Sequence, residues 1–183
     1  MEHVLLLRGV NLGSRNRISM PELRDALERA GFEQVRTYLQ SGNVLAHRDA
    51  PPEQVAAECR ERIAKTFRLE LEVLARTSEQ LAQVVERDPL GDVALDPKRY
   101  QVSFLERELD QQALRALAAL AQGEERLVAI GRELYAWHPH GVARSKLSAR
   151  LAGRDLGVPA TARNWTTACR LLALADRPAG ERG

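Results

Sequence analysis

Val4, Leu5, Leu6 and Leu7 follow one another without a polar break, and Arg8-Gly9 ends the run. Successive strand residues face opposite sides, so consecutive large apolar side chains suit a strand covered on both faces, the centre of a sheet. Such a strand needs neighbours on its edges and helices over it. The run is far shorter than the ~20 apolar residues of a membrane span, and too short for the hydrophobic region of a secretory leader. The expected address is cytoplasmic, with no membrane partner.

The residues that follow have the periodicities such a strand requires. Ser19-Met20-Pro21-Glu22 has the S-x-x-E form of a capping box, and Leu23, Ala26, Leu27 and Ala30 continue at helical spacing until Gly31. Val35, Thr37 and Leu39 then alternate with Arg36, Tyr38 and Gln40, and Ser41-Gly42 turns the chain into residues 43–47, which predicts a hairpin. Pro51-Pro52 opens a second helix with Val55, Cys59, Ile63 and Phe67 on one face. Leu69, Leu71 and Val73 alternate with Glu70, Glu72 and Leu74, so the closing strand is expected over 69–74. The order is β-α-β-β-α-β, the ferredoxin-like pattern.

A similar order returns in the second half. Thr77 and Gln80 form a capping box for a connecting helix, and the turn-rich stretch 88–98 marks the boundary. A strand at 100–105 leads to a helix capped by Asp110, with Leu114, Leu117, Ala118 and Ala121 on one face. Strands at 127–130 and 133–137 flank Gly131-Arg132, a pair suited to a tight turn. Ser145 caps a short helix that Gly153 ends, a short strand falls near Thr161, and Asn164 caps the last helix. The expected fold is α+β: ferredoxin-like subdomains at 1–76 and 99–176, a connecting helix and linker at 77–98, an additional C-terminal helix, and a loose tail at 177–183.

Charge excludes a global field for polyanions, because 27 Lys plus Arg against 25 Asp plus Glu leaves a net charge of only +2. Affinity for phosphates must therefore come from local clusters. The two cysteines, Cys59 and Cys169, lie far apart in apolar helical settings and read as buried, reduced thiols. No metal site or cofactor is expected: His138-Pro139-His140 lacks further ligands nearby, and Gly9 and Gly13 do not have P-loop spacing. Glu70 and Glu72 share one strand face, which reads more simply as a solvated side than as an acid-base pair.

In the expected topology the first β-α loop and the hairpin turn share one end of the sheet. The loop holds Arg8, Asn11, Gly13, Arg15, Asn16 and Arg17 with no acidic residue, and runs into the positive end of a helix. Beside it lie Gln40, Ser41, Gly42 and Asn43. These groups can hold a phosphate, sulfate or carboxylate, or the Gly and Asn can serve turn geometry alone while the arginines are solvated. A second cluster gathers Gly141, Arg144, Ser145 and Lys146 with Arg163, Asn164 and Trp165. Between Arg144 and Arg170 the basic residues Arg144, Lys146, Arg150, Arg154, Arg163 and Arg170 face one acid, Asp155. Trp165 can stack on a base or dock against the core, and docking is the reading favoured here.

These segments resemble a bacterial family known only as domain of unknown function 1697. The resemblance rests on Leu6-Leu7-Arg8-Gly9-Val10-Asn11-Leu12-Gly13, Arg15-Asn16-Arg17-Ile18-Ser19-Met20, Gly31-Phe32, Val35-Arg36-Thr37-Tyr38-Leu39-Gln40-Ser41-Gly42-Asn43-Val44, Gly141-Val142-Ala143-Arg144-Ser145-Lys146-Leu147 and Thr161-Ala162-Arg163-Asn164-Trp165-Thr166. It implies two ferredoxin-like subdomains and no established activity. Mild departures are Ser14, Arg15, Arg17, Ala162 and Thr167, and Arg in place of Lys changes donor geometry while keeping charge.

Three functions stay open at this level. The leading one is a binding module for a phosphate-bearing ligand, a nucleotide or nucleic acid, held mainly through its backbone. Aromatic base readout is disfavoured because residues 43–47 carry no stacking aromatic. The others are an enzyme using Arg and Asn donors without a nucleophile, and a structural or oligomerisation protein.

Overall fold

Strand β1 (Glu2–Leu7) is buried at every position, as its apolar run requires. In this computed structural model, which describes residues 1–11, 16–152 and 156–176, β1 lies between β3 (Asn43–His47) and β4 (Val73–Thr77), antiparallel to both. Strand β2 (Glu33–Tyr38) pairs antiparallel with the far side of β3, so the order is β2-β3-β1-β4. One face, with Leu5, Leu7, Val44, Ala46 and Ala75, packs on α1 (Met20–Glu28) and α2 (Pro52–Phe67) through Leu23, Leu27, Val55, Cys59 and Ile63. Connectivity is β-α-β-β-α-β, as expected.

The closing strand differs from the expected one. Arg68 ends α2 in the left-handed conformation, φ 54, and the ladder to β1 starts only where Val73 meets Leu7. Leu69 and Leu71 pack half-buried against the core ahead of that ladder, so their alternation with Glu70 and Glu72 records packing without strand pairing. The true strand runs on to Thr77 and is buried throughout, Arg76 included.

The second set of strands repeats the arrangement. β5 (Tyr100–Leu105) lies between β7 (Glu133–Trp137) and β8 (Ala160–Asn164), with β6 (Arg126–Ile130) outside β7. Leu105, Leu134, Ala136 and Ala160 pack with Leu117 of α4 (Gln111–Ala118) and Leu147 and Leu151 of α5 (Lys146–Ala152). The short strand near Thr161 is thus β8. Helices α3 (Ser78–Arg87) and α6 (Trp165–Ala175) complete the structure, and Thr77 and Gln80 exchange capping hydrogen bonds of 3.2 and 3.0 Å at the start of α3.

Contacts divide the chain into two units, Met1–Gln83 with the chain from Arg170 onward, and Val84–Cys169. Cys59 is fully buried and desolvation pushes its thiol up to about 12. Cys169, expected to be buried, is half-buried because it falls on a partly exposed flank of α6; desolvation still raises its thiol. Among the described residues, no helix is long and apolar enough to cross a membrane. The expected tail at 177–183 and the helix stop at Gly153 lie outside the described residues.

Candidate functional site

Parallel strands β1 and β2, with β3 between them, bring the β1–α1 segment and the β2–β3 turn to one end of the first sheet. Asn11 joins the two. Its side-chain amide donates to the Gln40 carbonyl at 2.8 Å and to the Ile18 carbonyl at 3.0 Å, and its Oδ1 accepts from the Ile18 amide at 2.9 Å. The backbone of Asn11 is left-handed, φ 55, as is that of Asn16, φ 50, a region Asn tolerates better than most residues. The Asn11 amide donates to the Asn16 carbonyl at 3.0 Å and Asn16 Nδ2 donates to the Gly9 carbonyl at 3.2 Å. The neck of the segment is therefore closed by its two asparagines.

The turn is fixed just as firmly. Gly42 has φ +77, and its carbonyl accepts from the Leu7 amide at 2.8 Å. Asn43 is fully buried and donates to the Tyr38 carbonyl at 3.0 Å and the Ser41 hydroxyl at 3.1 Å. Around this frame Arg17, Gln40 and Ser41 are exposed and Arg8 is half-buried. The remaining expected members, Gly13 and Arg15, lie outside the described residues.

The second cluster shares an end of its sheet, since β7 and β8 both run toward the Tyr100 end of β5. There Ser145, Asn164 and Arg163 are bound locally. Ser145 Oγ accepts from the Ser148 amide at 2.9 Å and Asn164 Oδ1 accepts from the Thr167 amide at 2.8 Å, so the two cap α5 and α6. Arg163 donates to Thr161 Oγ1 and the Ala162 carbonyl, both at 2.8 Å, and desolvation of its guanidinium pulls it down to about 10. Trp165 stacks on Tyr100 with ring centroids 4.5 Å apart and planes 18° from parallel, the docking role. Arg144 and Lys146 remain exposed, while Arg154 and Asp155 lie outside the described residues.

Sequence reasoning missed the polar pairs that form over distance. His138, wholly buried, bonds through Nδ1 to Glu125 Oε1 at 2.8 Å. Burial alone would raise the Glu125 carboxyl, but hydrogen bonds from His138, Ser145 and the Gln122 amide outweigh it and hold it below its usual range. Buried Glu2 meets Arg36 and His47, and Arg36 also donates to the Leu174 carbonyl near the end of α6 at 2.8 Å. A cavity of about 300 Å³, lined in part by Met1, Glu33, His47, Arg48 and Glu58, opens where β3 ends, at the opposite end of the sheet from Asn11. None of these pairs has a motif spacing that would announce it.

Among solved structures, the conserved bacterial protein SP0830 from Streptococcus pneumoniae is similar, with a TM-score of 0.77 and 22% identity over 96% of this chain and 98% of that one. At that identity the likeness shows the fold. No curated protein matches the sequence. The model of a family described as protein of unknown function, DUF1697, matches residues 1–135, and the chain belongs to that family.

Proposed function

We propose that the Asn11 end of the first sheet binds a phosphate-bearing ligand, a nucleotide or the backbone of a nucleic acid. One observation supports the reading: Asn11 ties the β1–α1 segment, which bears Arg8 and exposed Arg17, to the Gln40 carbonyl of the neighbouring turn, where Gln40 and Ser41 are exposed. Ordered donors cost less conformational entropy on binding than mobile ones, so cations on such a frame are suited to an anion. Arg144 and Lys146, in the other unit, are also exposed cations. Free thiols at Cys59 and Cys169 suit a reducing, cytoplasmic setting.

Equilibrium titration of the full chain with nucleotides and short oligonucleotides across a salt series tests this. Binding should weaken steeply with salt, and Arg17→Ala should weaken it further while leaving the melting temperature unchanged. Absent or salt-insensitive binding ends the reading. A second reading is favoured by the internal bonds of Asn11, Asn43, Ser145 and Asn164: these residues build turns and caps, and the protein acts through its architecture as a docking partner. On that reading Asn11→Ala loses stability and Arg17→Ala changes neither stability nor any nucleotide titration.

A further inference from the structure

We propose that the nucleotide held at the Asn11 end is an unpaired one, and that its base lies against Leu39 in the β2–β3 turn. The inference rests on the phosphate-binding reading of that end and adds the uncharged half of the ligand. Leu39 combines two unfavourable properties at one position. Its backbone is left-handed, φ 58, where a bulky side chain is crowded, and 55% of the residue stays exposed. Among the described residues, every other non-glycine residue with a positive φ is polar or charged. Folding gains little from an apolar side chain that is both strained and in water, and strain of this kind collects where a ligand is met.

The place of Leu39 in the fold says which ligand. Asn11 Nδ2 donates to the Gln40 carbonyl at 2.8 Å and to the Ile18 carbonyl at 3.0 Å. A single nitrogen therefore holds the residue after Leu39 beside the residue after Arg17. Arg17 and Leu39 flank this clamp, and both are exposed, so a cation and an apolar surface are offered side by side. Tyr38, half-buried, precedes Leu39, and its carbonyl accepts from the Asn43 side chain at 3.0 Å, which fixes the root of the turn.

Inorganic phosphate would answer the cation and leave Leu39 in water, and a wholly apolar ligand would do the reverse. A nucleotide carries an anion and a flat apolar face together. In a duplex those faces are stacked on one another and only the base edges can be reached, so the base must be unpaired, in a mononucleotide or in a single strand. The contact lies in the turn and not on β3, whose residues 43–47 carry no aromatic. Apolar side chains also receive bases that have left a stack.

Calorimetric titration of the full chain compares inorganic pyrophosphate, a nucleoside monophosphate, a single-stranded oligonucleotide and the duplex of the same sequence. The monophosphate should bind about tenfold more tightly than pyrophosphate despite its smaller charge, and the single strand more tightly than the duplex. Leu39→Asn tests the contact itself, because Asn suits a left-handed backbone: the melting temperature should hold or rise while affinity for the monophosphate falls roughly fivefold. That loss should be the same at low and high salt, whereas the loss from Arg17→Ala should shrink as salt rises. Pyrophosphate binding as tightly as the monophosphate, a preference for duplex, or a Leu39→Asn variant that binds like the parent overturns this inference and leaves the phosphate-binding reading standing. If none of the four probes binds, both fall.

Discussion

Gly42 sits where a side chain has no room. Its φ is +77, and an added Cβ would lie 2.7 Å from Leu7 Cβ and 3.3 Å from the Leu7 carbonyl oxygen. Gly42→Ala combines left-handed strain with a collision on the central strand, and urea unfolding should show a loss of roughly 2–4 kcal/mol. His3 makes a different prediction. Desolvation holds the wholly buried imidazole below its usual value of 6.5, against the opposing hydrogen bond to the Arg48 carbonyl. The unfolded chain takes up a proton that the folded one resists, so this contribution is complete above pH 6.5 and is lost as pH falls through the lower folded value. Thermal melts should decline from about that pH downward, and His3→Gln should remove that part of the decline. Local roles of this scale were legible: Ser145 and Asn164 cap because a cap acts within three residues. Glu125 with His138 was not, because the pair spans 13 positions and follows no helical or strand period.

Helix α6 illustrates what an element owes to its ends. Asn164 accepts from the Thr167 amide at its start, and Asn164→Ala should cost about 1 kcal/mol in chemical denaturation. At its other end the Leu174 carbonyl takes a hydrogen bond from Arg36, whose guanidinium also meets buried Glu2. Arg36→Ala removes both contacts and should cost more than the cap does, since among the described residues Glu2 then keeps only His47 as an ionic partner. The start of α6 could be read from Asn164, whereas the Arg36 contact joins residues 138 apart and could not. Strand β4 was misplaced for a related reason. Its Arg76 is 2% exposed although charged, while the tidy alternation just before the strand came from half-buried leucines outside the ladder.

Across the whole molecule, the inner strands β1, β3, β5 and β7 pair on both sides within their sheets, and β2, β4, β6 and β8 form the edges. The amides of the inner strands should therefore be the slowest to exchange with deuterium, and those of β2 and β6 the fastest of any strand, in a native-state exchange experiment. The order of elements was legible because period-2 and period-3.6 patterns alternate cleanly, and Val4 to Leu7 marked the centre of the first sheet. The Asn11 end was legible only as a juxtaposition: topology put the loop beside the turn, but nothing in the spacing announced that Asn11 gives one amide hydrogen to Ile18 and the other to Gln40 of the turn.

The first unit takes its residues from two stretches far apart in sequence, Met1–Gln83 and the chain from Arg170 onward. A ribosome that has just added residue 83 has not yet made the carbonyl that Arg36 grips, so residues 1–83 must wait for Leu174 before the unit is complete. A gene fragment stopping at Gln83 would yield a sheet still holding Arg36 and Glu2 but lacking the helix end that Arg36 was built to meet.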